Sequence, residues 1–330
     1  MKILPGLPDD IGRECLLRVP LTSHYKLARV CKIWKDNVYN PLFYQDRKRS
    51  GLSQKLIILP CSDERGCRIK LYNPLQNSCE TLPRFRFKYP YFSGCSYCVP
   101  FNHKLLIMGL LSDSPHFTNH KALVIYDFSS GKWKRGPDLP DRRNNPCCSL
   151  DSAKGLIYIA GGRHSDEGEL RTAIVYDIQE EKWEYLPPMI WSGYNCHSVF
   201  TDDKLYVVSH AKGHLQTYDP NRRQWSAINM QPSFAAFERI YHNFHEPVIE
   251  WDYLENQILR DPELRSFIGA TMWNRQILMA VVGKEEARFF YLFEPSIPGE
   301  AGKEDNWTLL RTFSETELPD VVTTIGVLTL

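Results

Sequence analysis

The sequence lacks any large excess of charge of one sign. Its 40 lysines and arginines nearly balance its 39 aspartates and glutamates, which leaves a formal net charge of +1 at pH 7. A protein that binds nucleic acid by neutralising phosphates needs a clear basic excess. A disordered regulator needs fewer apolar residues than the 43% present in this chain. The composition therefore excludes both classes and predicts a folded protein that does not bind nucleic acid.

Long apolar runs are also missing. No stretch approaches the roughly 18 apolar residues of a membrane-spanning helix. The first residues, Met1 to Pro8, lack the apolar core of a secretory signal peptide. We therefore expect no membrane association and a location in the cytoplasm, the nucleus or both. In those compartments the ten cysteines are expected to be reduced thiols.

The sequence signatures of common catalytic and cofactor sites are absent. It contains no GxSxG, GxGxxG, GxxxxGK[ST] or HExxH pattern. Cys95 and Cys98 have CxxC spacing but no second pair, and His116 and His120 form an isolated pair beside Pro115. Neither pair supplies the four ligands that a structural zinc ion needs. We predict a non-catalytic protein with no metal and no cofactor.

The first fifty residues have apolar spacing that is typical of helices. A first helix is predicted between Pro8 and Pro20, with Asp9 or Asp10 as its N-cap. A second helix is predicted from near Ser23, and its apolar stripe consists of Leu27, Val30, Cys31, Trp34 and Val38. So small a unit cannot bury its apolar surface alone. It is expected to need a neighbouring domain or a partner.

From residue 56 onward, short apolar runs between turn residues predict β-strands, and one pattern recurs. A Tyr-Asp pair is followed by tryptophan at one fixed spacing in Tyr126-Asp127 to Trp133, Tyr176-Asp177 to Trp183, and Tyr218-Asp219 to Trp225. Tyr72-Asn73 with Cys79 is a degenerate copy. Such repeats, roughly 40 to 55 residues apart, are typical of four-stranded propeller blades. The recurring aspartates are expected to hydrogen-bond the backbone of a turn rather than to act as catalytic acids.

The repeats predict a mainly β fold, a β-propeller of five or six blades with six favoured, after a small all-α unit. Residues 229–265 are open to two interpretations, an extra degenerate blade or a helical insertion. The strand-like segment from Val321 to Leu330 is expected to complete the blade that begins at Leu56 to Leu59. This closure would remove the free edges of the sheets.

Two resemblances rest on these residues. Four segments together resemble an F-box: Leu7-Pro8-Asp9-Asp10-Ile11, Cys15 to Pro20, Leu27 to Trp34, and Pro41-Leu42-Phe43. Ala160-Gly161-Gly162, followed by Tyr176-Asp177 and Trp183, resembles the kelch repeat. The chain as a whole resembles the plant F-box/kelch-repeat proteins, with an F-box in residues 1–50 and a kelch-repeat propeller in residues 51–330.

The F-box resemblance implies the substrate-recognition subunit of an SCF-type ubiquitin ligase, which recruits target proteins for ubiquitination and proteasomal degradation. Such a subunit binds a Skp-type adaptor and, through it, a cullin scaffold and a RING subunit. The residues implied to contact the adaptor are Leu7, Pro8, Asp10, Ile11, Cys15, Leu16, Leu17, Val19, Pro20, Leu27 and Val30.

The kelch resemblance implies a propeller face that binds a target protein, whose identity the sequence leaves open. The implied contacts are Arg142, Arg143, Arg163, His164, Trp191 and Tyr194. Arginine and large aromatic side chains are frequent anchors in protein interfaces. An alternative is that the F-box-like segment is only a structural cap on a scaffold or small-molecule-binding propeller.

Overall fold

The structure is a computed structural model, and the residues that it describes are 2–63, 66–84, 91–92, 97–109, 111–112, 121–164, 168–194, 196–209, 214–229, 264–273, 276–283, 288–294, 306–313 and 326–329. Short helices occupy the first fifty residues. Antiparallel strands make up nearly all the regular structure that follows.

The N-terminal unit, here called the helical unit, contains four α-helices. They are α1 (Asp9–Leu17), α2 (His24–Leu27), α3 (Lys32–Tyr39) and α4 (Pro41–Arg49), with a 3-10 turn at Leu21–Ser23. The residues at the beginning of α4 favour the start of a helix there. Asn40 caps it by accepting a hydrogen bond from the backbone N–H of Leu42, and a proline occupies its first turn.

Two expectations about these helices are wrong. The N-cap of α1 is Pro8, and Asp9 and Asp10 lie in the first turn, where negative charge is favourable at a helix N-terminus. The single second helix is split, because Cys31 has extended backbone with φ −158° and ψ 169°. Val30 consequently lies between α2 and α3 and is 61% exposed.

The strands are given in chain order. The first twelve are β1 (Lys55–Asp63), β2 (Gly66–Asn73), β3 (Ser78–Thr81), β4 (Tyr91–Phe92), β5 (Tyr97–Phe101), β6 (Lys104–Gly109), β7 (Leu111–Ser112), β8 (Ala122–Asp127), β9 (Lys132–Arg135), β10 (Cys147–Asp151), β11 (Leu156–Ala160) and β12 (Arg163–His164). The others are β13 (Gly168–Glu169), β14 (Ala173–Asp177), β15 (Lys182–Tyr185), β16 (His197–Thr201), β17 (Lys204–Ser209), β18 (His214–Asp219), β19 (Gln224–Asn229), β20 (Leu264–Trp273), β21 (Gln276–Gly283), β22 (Arg288–Glu294), β23 (Asn306–Phe313) and β24 (Gly326–Thr329).

The strands form five described four-stranded antiparallel sheets, which are consistent with kelch propeller blades. Sheet 1 has the order β24-β1-β2-β3, sheet 2 β5-β6-β8-β9, sheet 3 β10-β11-β14-β15, sheet 4 β16-β17-β18-β19, and sheet 5 β20-β21-β22-β23. Two short hairpin-like pairs, β4 with β7 and β12 with β13, lie beside them. Residues 230–263, which hold most of the segment predicted as an extra blade or a helical insertion, lie outside the described residues.

The predicted ring closure is confirmed. Strand β24 pairs antiparallel with β1, with Leu328 opposite Leu56 and Val327 opposite Ile57. Sheet 1 is therefore built from both ends of the repeat region. Strand β24 also lies next to β5 of sheet 2 and β20 of sheet 5, so its sheet has a neighbour on each side.

The recurring aspartates cap turns, as predicted. Asp127 Oδ1 accepts hydrogen bonds from the backbone N–H groups of Ser129 and Ser130, at 2.7 and 3.2 Å. Asp177 and Asp219 make the same pair of bonds two and three residues on. The residue two before each tryptophan has left-handed backbone: Gly131, Glu181 and Arg223, with φ 68°, 55° and 50°. The repeat in the sequence is thus a repeated turn geometry.

Each recurring tryptophan joins its sheet to the preceding one. The indole Nε1–H donates to a proline carbonyl that follows the last strand of the previous sheet: Trp133 to Pro83, Trp183 to Pro137 and Trp225 to Pro187. The same indole packs on the tyrosine of its own repeat, with ring centroids 4.7 to 5.2 Å apart. The Tyr-Asp to Trp spacing therefore supplies the contacts between neighbouring sheets.

Replacing Trp225 by phenylalanine should destabilise the propeller by about 1 kcal/mol, because a neutral hydrogen bond contributes that much net. Trp225 is the most buried of the three tryptophans, so its proline acceptor would lose its partner away from water. A urea melt followed by circular dichroism measures the effect. An unchanged midpoint would show that this hydrogen bond does not hold sheets 3 and 4 together.

Candidate interaction surfaces

One apolar core joins the helical unit to sheets 1 and 2. Its buried members from the helical unit include Leu16, Leu17, Leu21, Leu27, Val38 and Phe43, and those from the sheets include Leu56, Ile58, Ile69, Leu71, Leu105, Ile107 and Val124. The helical unit is too small to bury its apolar side chains alone, and the core that it shares with sheets 1 and 2 supplies the additional burial.

A buried arginine ties the helical unit to the segment that leads into sheet 1. Arg47 of α4 is 1% exposed, and its guanidinium donates to the carbonyl oxygens of Leu17, Val19 and Leu52. Near it, the backbone N–H of Leu21 donates to Gln54 Oε1 at 2.8 Å. The guanidinium thus supplies a donor to the carbonyl at the C-terminal end of α1 and to two carbonyls outside the helices.

A row of buried aromatic and polar rings continues this contact into sheet 2. His24 Nε2 lies 3.0 Å from the carbonyl oxygen of Val19, and its Nδ1 lies 3.4 Å from the Tyr44 hydroxyl. The Tyr44 ring stacks on His103, which lies in the β5–β6 turn, with centroids 4.7 Å apart. Burial, assisted by the Arg47 charge, lowers the pKa of His24 to about 3, and burial also lowers the pKa of His103. Both rings are therefore neutral at pH 7.

The same packing corrects part of the predicted adaptor surface. Leu16, Leu17 and Leu27 are buried members of the shared core, so their side chains are not exposed to solvent. Val19 is half-buried and packs against the same core. In this arrangement the three leucines belong to the core of the protein and not to an exposed surface, whereas Val19 is partly exposed.

The other predicted adaptor residues lie on the surface. Leu7, Ile11 and Val30 are 37%, 47% and 61% exposed, and the further exposed members are Pro8, Asp10, Cys15 and Pro20. Among the described residues, eight large apolar side chains are exposed, and five of them belong to the helical unit. Exposed apolar side chains concentrated on a small unit are typical of an interaction surface. The outer face of the helical unit is one candidate surface.

A second candidate surface lies at the opposite ends of the strands. In each antiparallel sheet, the turns after its first and third strands lie at one end, and the remaining connections lie at the other. The helical unit contacts the first end, where Tyr44 stacks on His103 and the Tyr25 ring lies against Gly131. The predicted target-binding residues lie in connections at the other end.

Arg143, one of these predicted residues, is a structural residue, which corrects its assignment. Its side chain is fully buried. It binds the Asp141 carboxylate through Nε and Nη2, at 2.7 and 2.6 Å. It also donates to the carbonyl oxygens of Gly161 and Thr172, at 3.1 Å each, and to the Thr172 hydroxyl. The sequence predicted that Arg143 would contact the target. Its guanidinium instead stabilises the connection after β11 and is unavailable to a target.

The double glycine brings two connections into contact. Gly161 and Gly162 have φ of +65° and +98°, and the Gly162 N–H donates to the Gly193 carbonyl oxygen at 2.6 Å. A Cβ on Gly161 would lie 2.4 Å from that oxygen, so only glycine fits. Asn144 and Arg163 exchange backbone hydrogen bonds of 2.8 Å beside it. The geometry draws the connections before β10 and before β16 together around β12.

The side chains that this geometry brings together are Arg163 and Tyr194. The exposed Arg163 guanidinium lies 5.9 Å from the centre of the Tyr194 ring, and Asn145 Nδ2 lies 3.4 Å from the Tyr194 hydroxyl. An arginine over an aromatic ring keeps its hydrogen-bond donors available to a ligand. Arg142 is exposed and His164 is half-buried in the same connections.

Trp191 is held by two residues that the sequence interpretation missed. Its ring stacks on His214 with centroids 4.2 Å apart. Gln216, itself buried, accepts hydrogen bonds from the backbone of Ile190 and Trp191 and donates to the Trp191 carbonyl oxygen. Gln216 occupies the repeat position held by Val124 and Ile174 in the two preceding copies. The glutamine at a repeat position that is apolar in those two copies was the feature of the sequence that could have indicated this role.

Within the described residues, no three histidine, cysteine, aspartate or glutamate side chains are grouped to hold a metal ion. No described helix is both long enough and apolar enough to cross a membrane. Three residues of the predicted isolated pairs, Cys95, His116 and His120, lie outside the described residues.

Comparison with known proteins matches both parts of this architecture. The F-box domain model matches residues 4–46, and the Kelch motif model matches residues 145–190. The F-box/kelch-repeat proteins At1g80440 and At1g15670 of Arabidopsis thaliana are 30% and 27% identical, over 63% of this chain and 62% of their own lengths. The F-box/kelch-repeat protein SKIP20 of the same plant is 26% identical over 95% of this chain and 90% of its own.

The chain thus covers less than two thirds of the first two relatives, whereas it covers most of the third. All three are named F-box/kelch-repeat proteins, and the two matched models fall on the helical unit and on sheet 3 with its flanking connections. The chain is therefore similar to F-box/kelch-repeat proteins in both of its parts.

Proposed function

We propose that this chain is the substrate-recognition subunit of an SCF-type ubiquitin ligase. In this role the F-box binds a Skp-type adaptor, and through it a cullin scaffold and a RING subunit, while the propeller holds a target protein. The proposal includes a location in the cytoplasm, the nucleus or both. The subunit itself is non-catalytic, because its contribution to ubiquitin transfer is to hold the target near the charged conjugating enzyme.

The observation that carries the proposal is the division of the helical unit into two faces. Its inner face packs on sheets 1 and 2, whereas its outer face exposes Leu7, Ile11 and Val30. The surface around Arg163 and Tyr194 lies at the opposite end of the sheets. An adaptor and a target could therefore bind at the same time without competing for space.

A second candidate function is supported by the shared core. Since the helical unit shares an apolar core with sheets 1 and 2 and Tyr44 stacks on His103, the unit already acts as a cap on the propeller. A scaffold or small-molecule-binding propeller with such a cap would need no adaptor. The two candidates differ in what the exposed outer face does.

Co-expression with a Skp-type adaptor followed by size-exclusion chromatography separates the two candidates. We expect a stable 1:1 complex with the wild-type chain, and its loss in Ile11→Asp and Val30→Asp, because a charge in an apolar interface is costly to bury. Leu75→Asp is the matched control, since Leu75 is 83% exposed in the turn between β2 and β3. A soluble chain that never binds the adaptor would favour the cap.

A further inference from the structure

A cavity of about 210 Å³ lies where the helical unit meets the turn between β8 and β9. Tyr25, Arg29 and Lys35 line it from the helical unit, and Ser129, Ser130 and Lys132 line it from sheet 2. The lining thus includes three cationic side chains, contributed by two different parts of the fold, and no carboxylate. Neither the adaptor surface nor the target surface uses this cavity.

The three positive charges are not neutralised by ion pairs. Across the described residues, the ion pairs within 4.0 Å include neither Arg29 nor Lys35 nor Lys132. Arg29 lies 5.4 Å from the Tyr25 ring centre, and Lys35 lies 5.6 Å from the ring centre of Tyr39. These ring contacts orient the cations without cancelling their charge.

Asp127 lies at the start of this turn, and its carboxylate hydrogen-bonds the residues of the turn. Its Oδ1 accepts hydrogen bonds from the Ser129 backbone and hydroxyl and from the Ser130 backbone. It therefore caps the turn and does not line the cavity. The cavity is therefore lined by three cations and no carboxylate, with the Asp127 charge placed behind the turn residues Ser129 and Ser130.

The repeated sheets supply an internal comparison for this turn. In sheet 3 the equivalent positions are Glu180, Glu181 and Lys182, and the Lys182 ammonium lies 4.0 Å from Glu180. Sheet 2 keeps the lysine as Lys132 but has Ser130 and Gly131 in place of the two acids. The sheet 2 copy thus lacks the acids of sheet 3, as does the sheet 4 copy, which has Arg222, Arg223 and Gln224 at these positions.

The glycine in this turn allows Tyr25, which lines the cavity, to lie close to the backbone of sheet 2. Gly131 has φ +68°, and a Cβ there would lie 2.8 Å from Cγ of Tyr25. Any larger residue would push Tyr25, and with it the adjacent Arg29, away from sheet 2. The small residues of the turn thus allow a close approach that brings cations of both units to one cavity.

We propose that this cavity binds a small anion that carries two or more negative charges, of the phosphate-ester or pyrophosphate kind. Arginine and lysine are the residues that most often bind phosphate oxygens. Cations on both sides of the cavity favour a ligand with more than one charge. A bound anion would bridge the helical unit and sheet 2 and stabilise their contact.

The test is calorimetric titration of the full chain with inorganic pyrophosphate at constant ionic strength. We expect saturable binding at one site and a rise in melting temperature, because a ligand of the folded state stabilises it by mass action. Lys35→Gln and Lys132→Gln should each weaken binding by about tenfold, as expected for loss of a charge-assisted contact. Lys182→Gln, the equivalent change in sheet 3, should leave binding unchanged.

Three results would overturn the proposal. One is the absence of saturable binding to pyrophosphate by a chain that melts cooperatively. Another is equal weakening by Lys182→Gln, which would indicate general attraction to a basic surface. A third is a stabilisation that sodium chloride reproduces at the same ionic strength. Lys35 and Lys132 are exposed, so their replacement is not expected to disturb folding.

Discussion

Arg143→Met should destabilise the propeller by about 3 kcal/mol or more, whereas Arg142→Met, one position earlier, should have almost no effect. Removing one partner of a buried, hydrogen-bonded ion pair typically costs about 3–5 kcal/mol, because the other charge is left unpaired. Asp141 would lose its bidentate partner, and the carbonyl oxygens of Gly161 and Thr172 would lose a donor. Arg142 is exposed, and its loss removes nothing from the core.

Urea denaturation of the two variants beside the wild type measures this difference. The pair is well matched, since both changes remove one guanidinium from the same connection. Equal midpoints for the two variants would contradict the structural role of Arg143. Target binding, once a target is known, should be compared only between the wild type and Arg142→Met, because Arg143→Met disturbs the double-glycine connection.

Acidification between pH 6.5 and pH 5 should lower the free energy of unfolding, with His24 as a principal cause. Burial lowers the pKa of His24 to about 3 in the folded chain, whereas an unfolded histidine has a pKa near 6.5. Below pH 6.5 the unfolded chain binds a proton that the folded chain does not bind. The stability is therefore complete above pH 6.5 and is lost as pH falls, at up to about 1.4 kcal/mol per pH unit.

The groups that act on the His24 charge are Arg47 and His103, both of which oppose protonation, and the Val19 carbonyl, which favours it. Burial also lowers the pKa of His103, so it adds to the same slope. The check is a series of urea melts from pH 5 to pH 7.5. His24→Gln should be less stable at pH 7 but should show a flatter dependence on pH. A variant with the wild-type slope would exclude His24 as the source.

Much of the propeller could be predicted because its repeat encodes local geometry. The Tyr-Asp to Trp spacing fixes a turn through the aspartate and places the tryptophan on the last strand, and both contacts are local in sequence. The pairing of β24 with β1 is long-range, yet it was predictable because an unpaired edge strand is unfavourable. The glycine pair after β11 was likewise a reliable indication of backbone with positive φ.

The division of the helical unit into two faces could not be predicted in the same way. Ile11 and Leu16 are both apolar and both lie on α1, but Ile11 is exposed and Leu16 is buried in the shared core. The difference depends on tertiary packing, which periodicity along one helix does not encode. The predicted stripe through Val30 was wrong for a related reason, because the extended backbone at Cys31 interrupts it.

The two arginines at 142 and 143 illustrate the same limit at the target surface. They are the same residue type at adjacent positions of one connection, and both were predicted to bind the target. Arg143 points inward because the carbonyl oxygens of Gly161 and Thr172, which lie after β11 and before β14, accept its hydrogen bonds. Side-chain direction in a connection depends on the tertiary structure around it, not on residue type.

Hydrogen–deuterium exchange of the full chain with and without a Skp-type adaptor tests the central claim most directly. That claim is that the helical unit binds the adaptor with its outer face while its inner face stays on the propeller. We expect new protection of backbone amides in the segments around Ile11 and Val30, and unchanged exchange in β11 and β14 of sheet 3. Protection confined to the connections around Arg163 and Tyr194, or no change anywhere, would contradict the claim.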